Sequence, residues 1–211
     1  MRKWLGPLAL LAAGLFTAAV YNDLPDRLPT HWNIAGEPDA WSSRLKGAVM
    51  LPLAALVLWI VLHVLPLLDP LRKNYEKFRP TYDNTINLIV MFLAAAHVFI
   101  LGVALGWPLD ITRALPISIG VLSILIGNVL PRARRNWLFG VRTPWTLSND
   151  RVWERTHRMA GYLFVALGVA VLVAAALPFS FSATVAFVGM ATVAAVAFVY
   201  SYVAWRQETE R

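Results

Sequence analysis

Six long apolar stretches alternate with polar loops along the whole of this chain, over approximately Trp4–Tyr21, Gly47–Leu68, Asn84–Gly106, Ile111–Leu130, Ala160–Leu177 and Ala183–Trp205. A helix needs about 20 mostly apolar residues to cross the hydrocarbon core, and each stretch approaches or exceeds that length. The pattern predicts an all-α, polytopic membrane protein with six transmembrane helices. It divides into residues 1–106, three spans with a long loop at 22–46, and residues 107–211, three spans with a long loop at 131–159. An odd number of spans per half turns the second half over relative to the first, as in inverted repeats. The loop order Leu28-Pro29, Trp32, Gly36, Pro38, Trp41 loosely parallels Leu130-Pro131, Trp137, Gly140, Pro144, Trp145. Such residues are common in any interfacial loop, and chance is the preferred explanation.

Charge gives the orientation. Fifteen of the 19 Lys and Arg lie on the N-terminus, the 69–83 loop, the 131–159 loop and the C-terminal tail. The other four are Arg27, Arg44, Lys46 and Arg113. Basic loops are retained in the cytoplasm, so both termini and the 131–159 loop are expected there, with the 22–46 loop outside. Hydrophobic residues make up 58% of the chain and charged residues 15%, against about a quarter charged in soluble domains. The net charge of +7 lies in juxtamembrane loops, where it orients the protein and meets membrane lipids, so no direct nucleic-acid partner is expected. Without cysteine there is no disulfide, thiol nucleophile or cysteine metal site. The first stretch, behind Arg2 and Lys3, has signal-peptide features, but five further spans favour a retained first helix.

The outer loop runs from Leu24 to Trp41 with Pro25, Pro29 and Pro38 and with Gly36. Prolines at this density exclude a long helix and predict an ordered, turn-rich cap. Trp32 and Trp41 suit the headgroup level, where an apolar ring and an N–H donor are both satisfied. Two readings stand: interface anchoring, or a ligand-binding surface built from His31, Trp32, Asn33, Gly36 and Trp41. A metal site of His31 with Asp26, Glu37 or Asp39 is weak, because no second histidine stands at ligand spacing; no metal and no cofactor are expected.

The inner loop starts at Gly127-Asn128 and continues from Pro131 to Ser148. Pro144 should hold Thr143 extended, and Ser148 or Asn149 should cap a helix. In that helix Val152, Trp153, Thr156, Met159 and Ala160 share one face and Arg151, Arg155 and Arg158 another, with Glu154 and Arg158 in the favourable i,i+4 order. The segment reads as a short amphipathic helix on the inner surface before span five, either an anchor or a docking platform. Arg142, with a planar fork of donors, should bond backbone carbonyls or Asn128. The candidate platform comprises Asn128, Arg142, Thr143, Trp145, Asn149, Trp153, His157 and Arg158.

Within the membrane, polar residues need partners or a function. His63, His97, Asn84 and Asn87 are the candidates; interhelical hydrogen bonding is the preferred role of the histidines, and a transporter or lipid-handling role is the alternative. Gly14 and Ala18, four apart, suit helix packing within or between chains. No His-Glu-x-x-His, Gly-x-Ser-x-Gly or phosphate loop is present, and the protein is read as no enzyme.

Taken together, the loops resemble the SdpI family of bacterial membrane immunity proteins. The resemblance rests on Leu24-Pro25-Asp26-Arg27-Leu28-Pro29-Thr30-His31-Trp32-Asn33 with Gly36-Glu37-Pro38-Asp39. It rests further on Gly127-Asn128, Gly140-Val141-Arg142-Thr143-Pro144-Trp145-Thr146-Leu147-Ser148-Asn149, Val152-Trp153, Thr156-His157-Arg158 and Ala160-Gly161. It implies a multi-pass protein of the bacterial cytoplasmic membrane that neutralises a hydrophobic or amphipathic toxin peptide, with a cytoplasmic repressor as a second partner. The Arg132–Asn136 segment is more basic than the family pattern, which favours lipid over repressor contact.

Overall fold

A computed structural model describes residues 4–210; Arg2, Lys3 and Arg211, counted in the charge split above, lie outside the described residues. The elements are α1 (Leu5–Val20), β1 (Arg27–Trp32), β2 (Pro38–Ser43), α2 (Arg44–Leu68), α3 (Arg79–Ala104), α4 (Ile111–Val129), α5 (Pro144–Ser148), α6 (Asp150–Ala174) and α7 (Phe179–Thr209). Six of these helices are long and apolar enough to cross a membrane. Several outrun the apolar stretches: α2 starts at Arg44, α3 at Arg79 and α6 at Asp150, because a helix continues into polar residues where hydropathy alone stops. The fifth span and the amphipathic segment are thus one unbroken helix, not a surface helix followed by a turn.

The all-α expectation needs one correction. The 22–46 loop is an antiparallel hairpin, with Arg27 opposite Ser43 and Trp32 opposite Pro38, and its register is irregular on both sides of His31. A two-stranded ribbon has only edges, so Pro29 and Pro38 are tolerated, and Thr30, Trp32 and Trp41 favour extended backbone. The loop parallel noted above does not extend to local structure, since the 131–149 segment holds a 3-10 turn at Leu130–Arg132 and the five-residue α5 but no strand.

The chain forms two compact units, Met1–Val64 with Asp83–Ala114, and Leu65–Tyr82 with Leu115–Arg211. In the first, Leu24 and Leu28 of the hairpin root are fully buried with Ala48 and Leu101. In water, such a leucine contributes about 1.5–3 kcal/mol, enough to fix the ribbon on its helices. Arg44 Nη2 donates to Asp26 Oδ1 at 2.7 Å and closes the ribbon's base. Helix α1 is bound to α3 twice: Gly6 N–H donates to Asn87 Oδ1 at 2.9 Å, and Thr17 Oγ1 lies 2.8 Å from His97 Nε2.

In the second unit, α4 and α6 meet backbone to backbone. A Cβ on Gly127 would stand 2.6 Å from the Gly161 carbonyl oxygen, and one on Gly168 would stand 2.5 Å from that of Gly120. Glycines seven apart on each helix open this seam, and in lipid such close packing replaces the hydrophobic drive available in water.

Candidate functional site

The hairpin carries all five outer candidates, but they do different work. Asn33 builds the turn: its Oδ1 accepts the N–H of Ala35 at 2.9 Å and of Glu37 at 3.0 Å. Gly36 completes it at φ +83°, a conformation that suits glycine. His31 Nδ1 is 2.5 Å from Asp39 Oδ1, and that side chain is 68% exposed. Trp41, opposite Pro29, is 53% exposed, and Ile34 at the turn is 64% exposed. The surface on offer is therefore His31, Trp32 and Trp41, with Ile34 as an addition; Asn33 and Gly36 shape it from within. No group of His, Cys, Asp or Glu among the described residues is arranged to hold a metal ion.

The inner candidates converge on His157. It is fully buried; its Nδ1 lies 2.8 Å from the Trp153 carbonyl, and its Nε2 accepts the Val141 N–H at 2.9 Å. These partners fix the neutral ring with the proton on Nδ1. Gly140 lies at φ +106°, and a Cβ there would stand 2.2 Å from His157 Nε2. Gly140 and His157 are thus two halves of one joint, where the loop lies directly on α6.

Around this joint, Trp153 is buried and its Nε1 donates to the Ala133 carbonyl at 2.9 Å. Thr143 is extended, at φ −110° and ψ 162°, and forms a capping box with Thr146 at the start of α5. The Thr143 hydroxyl also reaches Ser201 Oγ on α7 at 3.0 Å. Trp145 packs against Phe198 and Tyr202 with ring centroids 5.2 and 5.1 Å away. Asn149 Oδ1 caps α6 through the N–H groups of Arg151 and Val152. Arg142 Nη1 donates to the Trp137 carbonyl at 2.7 Å, a backbone partner as expected.

Two candidates stand apart. Asn128 is exposed and bonds its own helix at Ile124 O, because α4 turns it away from the loop. Arg158 is exposed on α6 and does not pair with Glu154. Instead Glu154 pairs with Arg134, which the 131–136 loop brings closer than the i,i+4 neighbour. Arg151 and Arg155 reach Glu208 of α7 at 3.4 and 3.6 Å.

Sequence reasoning missed the second floor of the platform. Asp69 is 4% exposed and accepts three hydrogen bonds: from Leu71 N–H at 2.7 Å, Tyr75 O–H at 2.9 Å and Trp137 N–H at 2.9 Å. Burial, then the Asp69 carboxylate, pushes the Tyr75 phenol far above its ordinary range, so it remains a donor at any physiological pH. Asn136, fully buried, folds the partner loop by accepting Leu138 and Phe139 N–H and donating to the carbonyls of Arg134 and Phe139. The available signal was a lone acid before Pro70 at the end of an apolar stretch.

Of the intramembrane histidines, His97 is spoken for by Thr17 across helices. His63 bonds within its own helix, Nδ1 to the Trp59 carbonyl at 2.8 Å, and not between helices.

Comparison with known proteins follows the same division. Residues 132–203, the platform with α6 and most of α7, match the SdpI/YfhL protein family. The Immunity protein SdpI of Bacillus subtilis strain 168 is 25% identical over 174 residues, 82% of this chain and 81% of that protein. The chain is thus similar to the SdpI family, by its 132–203 segment and by this relative. Residues 8–56, comprising most of α1, the hairpin and the first half of α2, match a domain of unknown function, DUF1648. An uncharacterized membrane protein of the same Bacillus, YbgB, is 37% identical over 49 residues, 23% of this chain and 54% of that protein. No solved structure matches the chain. With six membrane-length helices and this similarity to SdpI, the chain is a multi-pass bacterial membrane protein.

Arg142→Ala should cost about 1 kcal/mol through the lost Trp137 contact, read as a lower thermal midpoint in detergent. Arg142→Lys should not restore it fully, since a point charge lacks the planar fork. An unchanged midpoint in both variants would remove Arg142 from the platform.

Proposed function

We propose that this protein is a non-enzymatic immunity protein that neutralises a hydrophobic or amphipathic toxin peptide at the bacterial membrane. The carrying observation is the likeness to an immunity protein across 82% of the chain. In this reading the hairpin faces outward and the platform faces the cytoplasm, with both termini inside, as the charge split favours. His31, Trp32 and Trp41 meet the peptide; an exposed indole gives rigid amphipathic contact area at small entropic cost. The platform, braced by His157 and Asp69, is the surface through which a cytoplasmic repressor would be held.

The test is survival. A sensitive bacterium expressing the chain is challenged with a panel of membrane-active peptides, and at least tenfold higher survival is expected against one of them. Protection from none, with the protein present in the membrane, would contradict the reading. The alternative, transport or lipid handling through His63 and His97, has less support, because both rings already spend a nitrogen on a fixed partner.

A further inference from the structure

A polar cavity of roughly 300 Å³ lies in the second unit, between the 3-10 turn Arg72–Lys77, the 133–136 loop and the first turns of α6. Asn74, Lys77, Arg134, Arg135, Asp150 and Glu154 line it, with Trp153 as its apolar wall. That volume is at the small end of ligand sites.

The charges around it are unevenly committed. Arg135 Nε lies 2.7 Å from Asp150 Oδ1, and its Nη1 donates to the Leu147 carbonyl at 2.8 Å, so Arg135 is fixed. Arg134 pairs with Glu154, but both side chains are nearly half exposed, and a pair of that kind holds weakly. Lys77 makes no ion pair with any described residue. Three cations against two carboxylates leave one positive charge in excess, centred on Lys77.

One uncompensated cation in a small, half-enclosed polar cavity calls for one negative charge with several acceptor oxygens. A phosphate diester supplies that combination, and Arg134 can turn from Glu154 to share it. We propose that this cavity binds a phosphate ester anion, held chiefly by Lys77 with Arg134 beside it. The favoured source is the headgroup of an anionic phospholipid, because the cavity adjoins the polar ends of membrane-length helices, where basic pockets take such headgroups.

The test uses the full chain in a neutral detergent, with thermal unfolding as the readout. Dioleoyl phosphatidylglycerol should raise the midpoint by about 5 °C at saturation, while dioleoyl phosphatidylcholine, whose choline cation cancels the phosphate, should do much less. Lys77→Gln should remove at least half of the rise; Lys73→Gln, on the same turn but outside the cavity lining, should keep it. If glycerol 3-phosphate reproduces the rise with the same dependence on Lys77, the site stands and its ligand is soluble. An equal rise in both variants would mean diffuse surface charge, and no rise with either anion would mean no site; either result overturns the proposal.

Discussion

Gly140→Ala should be among the most damaging single methyl additions in this protein. The backbone at Gly140, with φ +106°, is one that side-chain-bearing residues hold only at a cost of about 1–3 kcal/mol. The new Cβ would also stand 2.2 Å from His157 Nε2, so the ring or the loop must shift and the Val141 N–H loses its buried acceptor. That adds about 1–3 kcal/mol, for a total of about 2–6 kcal/mol and a midpoint lowered by roughly 10 °C in detergent. On a His157→Ala background the same change should cost markedly less, since the clash has gone. A midpoint within about 2 °C of the wild type for Gly140→Ala would mean that loop and helix are not joined here.

Asp69→Ala should be comparably severe. It strips the acceptor from two backbone N–H groups and the Tyr75 hydroxyl at once, and removing one partner of a buried charged network costs about 3–5 kcal/mol. Asp69→Asn keeps one oxygen and should recover part of the loss. The measurement is folded yield by size exclusion in detergent, with Tyr75→Phe as the mild comparison because it deletes one bond of the three. Near-normal yield for Asp69→Ala would show that the two loops fold independently.

The spans were legible because hydrocarbon demands length and apolarity, and both are written in the residues. The extended Thr143 before Pro144 and a cap of α6 at Ser148 or Asn149 were legible too, since both are determined locally, and the structure selects Asn149; the short α5 that Thr143 itself caps was not. The hairpin was not, because three prolines argue against helix without arguing for pairing, and its register depends on burial of Leu28 against distant Ala48 and Leu101. The role of Asp69 was equally hidden. Its partner Trp137 is 68 residues away, and no local pattern announces that contact. The α4–α6 seam had a signal in the matched seven-residue spacing of Gly120 and Gly127 with Gly161 and Gly168, but only packing shows which glycines face each other.

The hairpin's exposed Trp41 and half-buried Trp32 bear the weight of the immunity reading, so the decisive measurement is survival under toxin with those residues changed alone. Trp41→Ala and the double variant Trp32→Ala with Trp41→Ala should keep wild-type membrane levels and midpoint, since Trp41 is half exposed, yet lose most of the protection given by the wild type. Arg158→Ala, exposed on α6 in the platform unit, should protect fully. Unchanged protection by the double variant at wild-type expression would contradict the account.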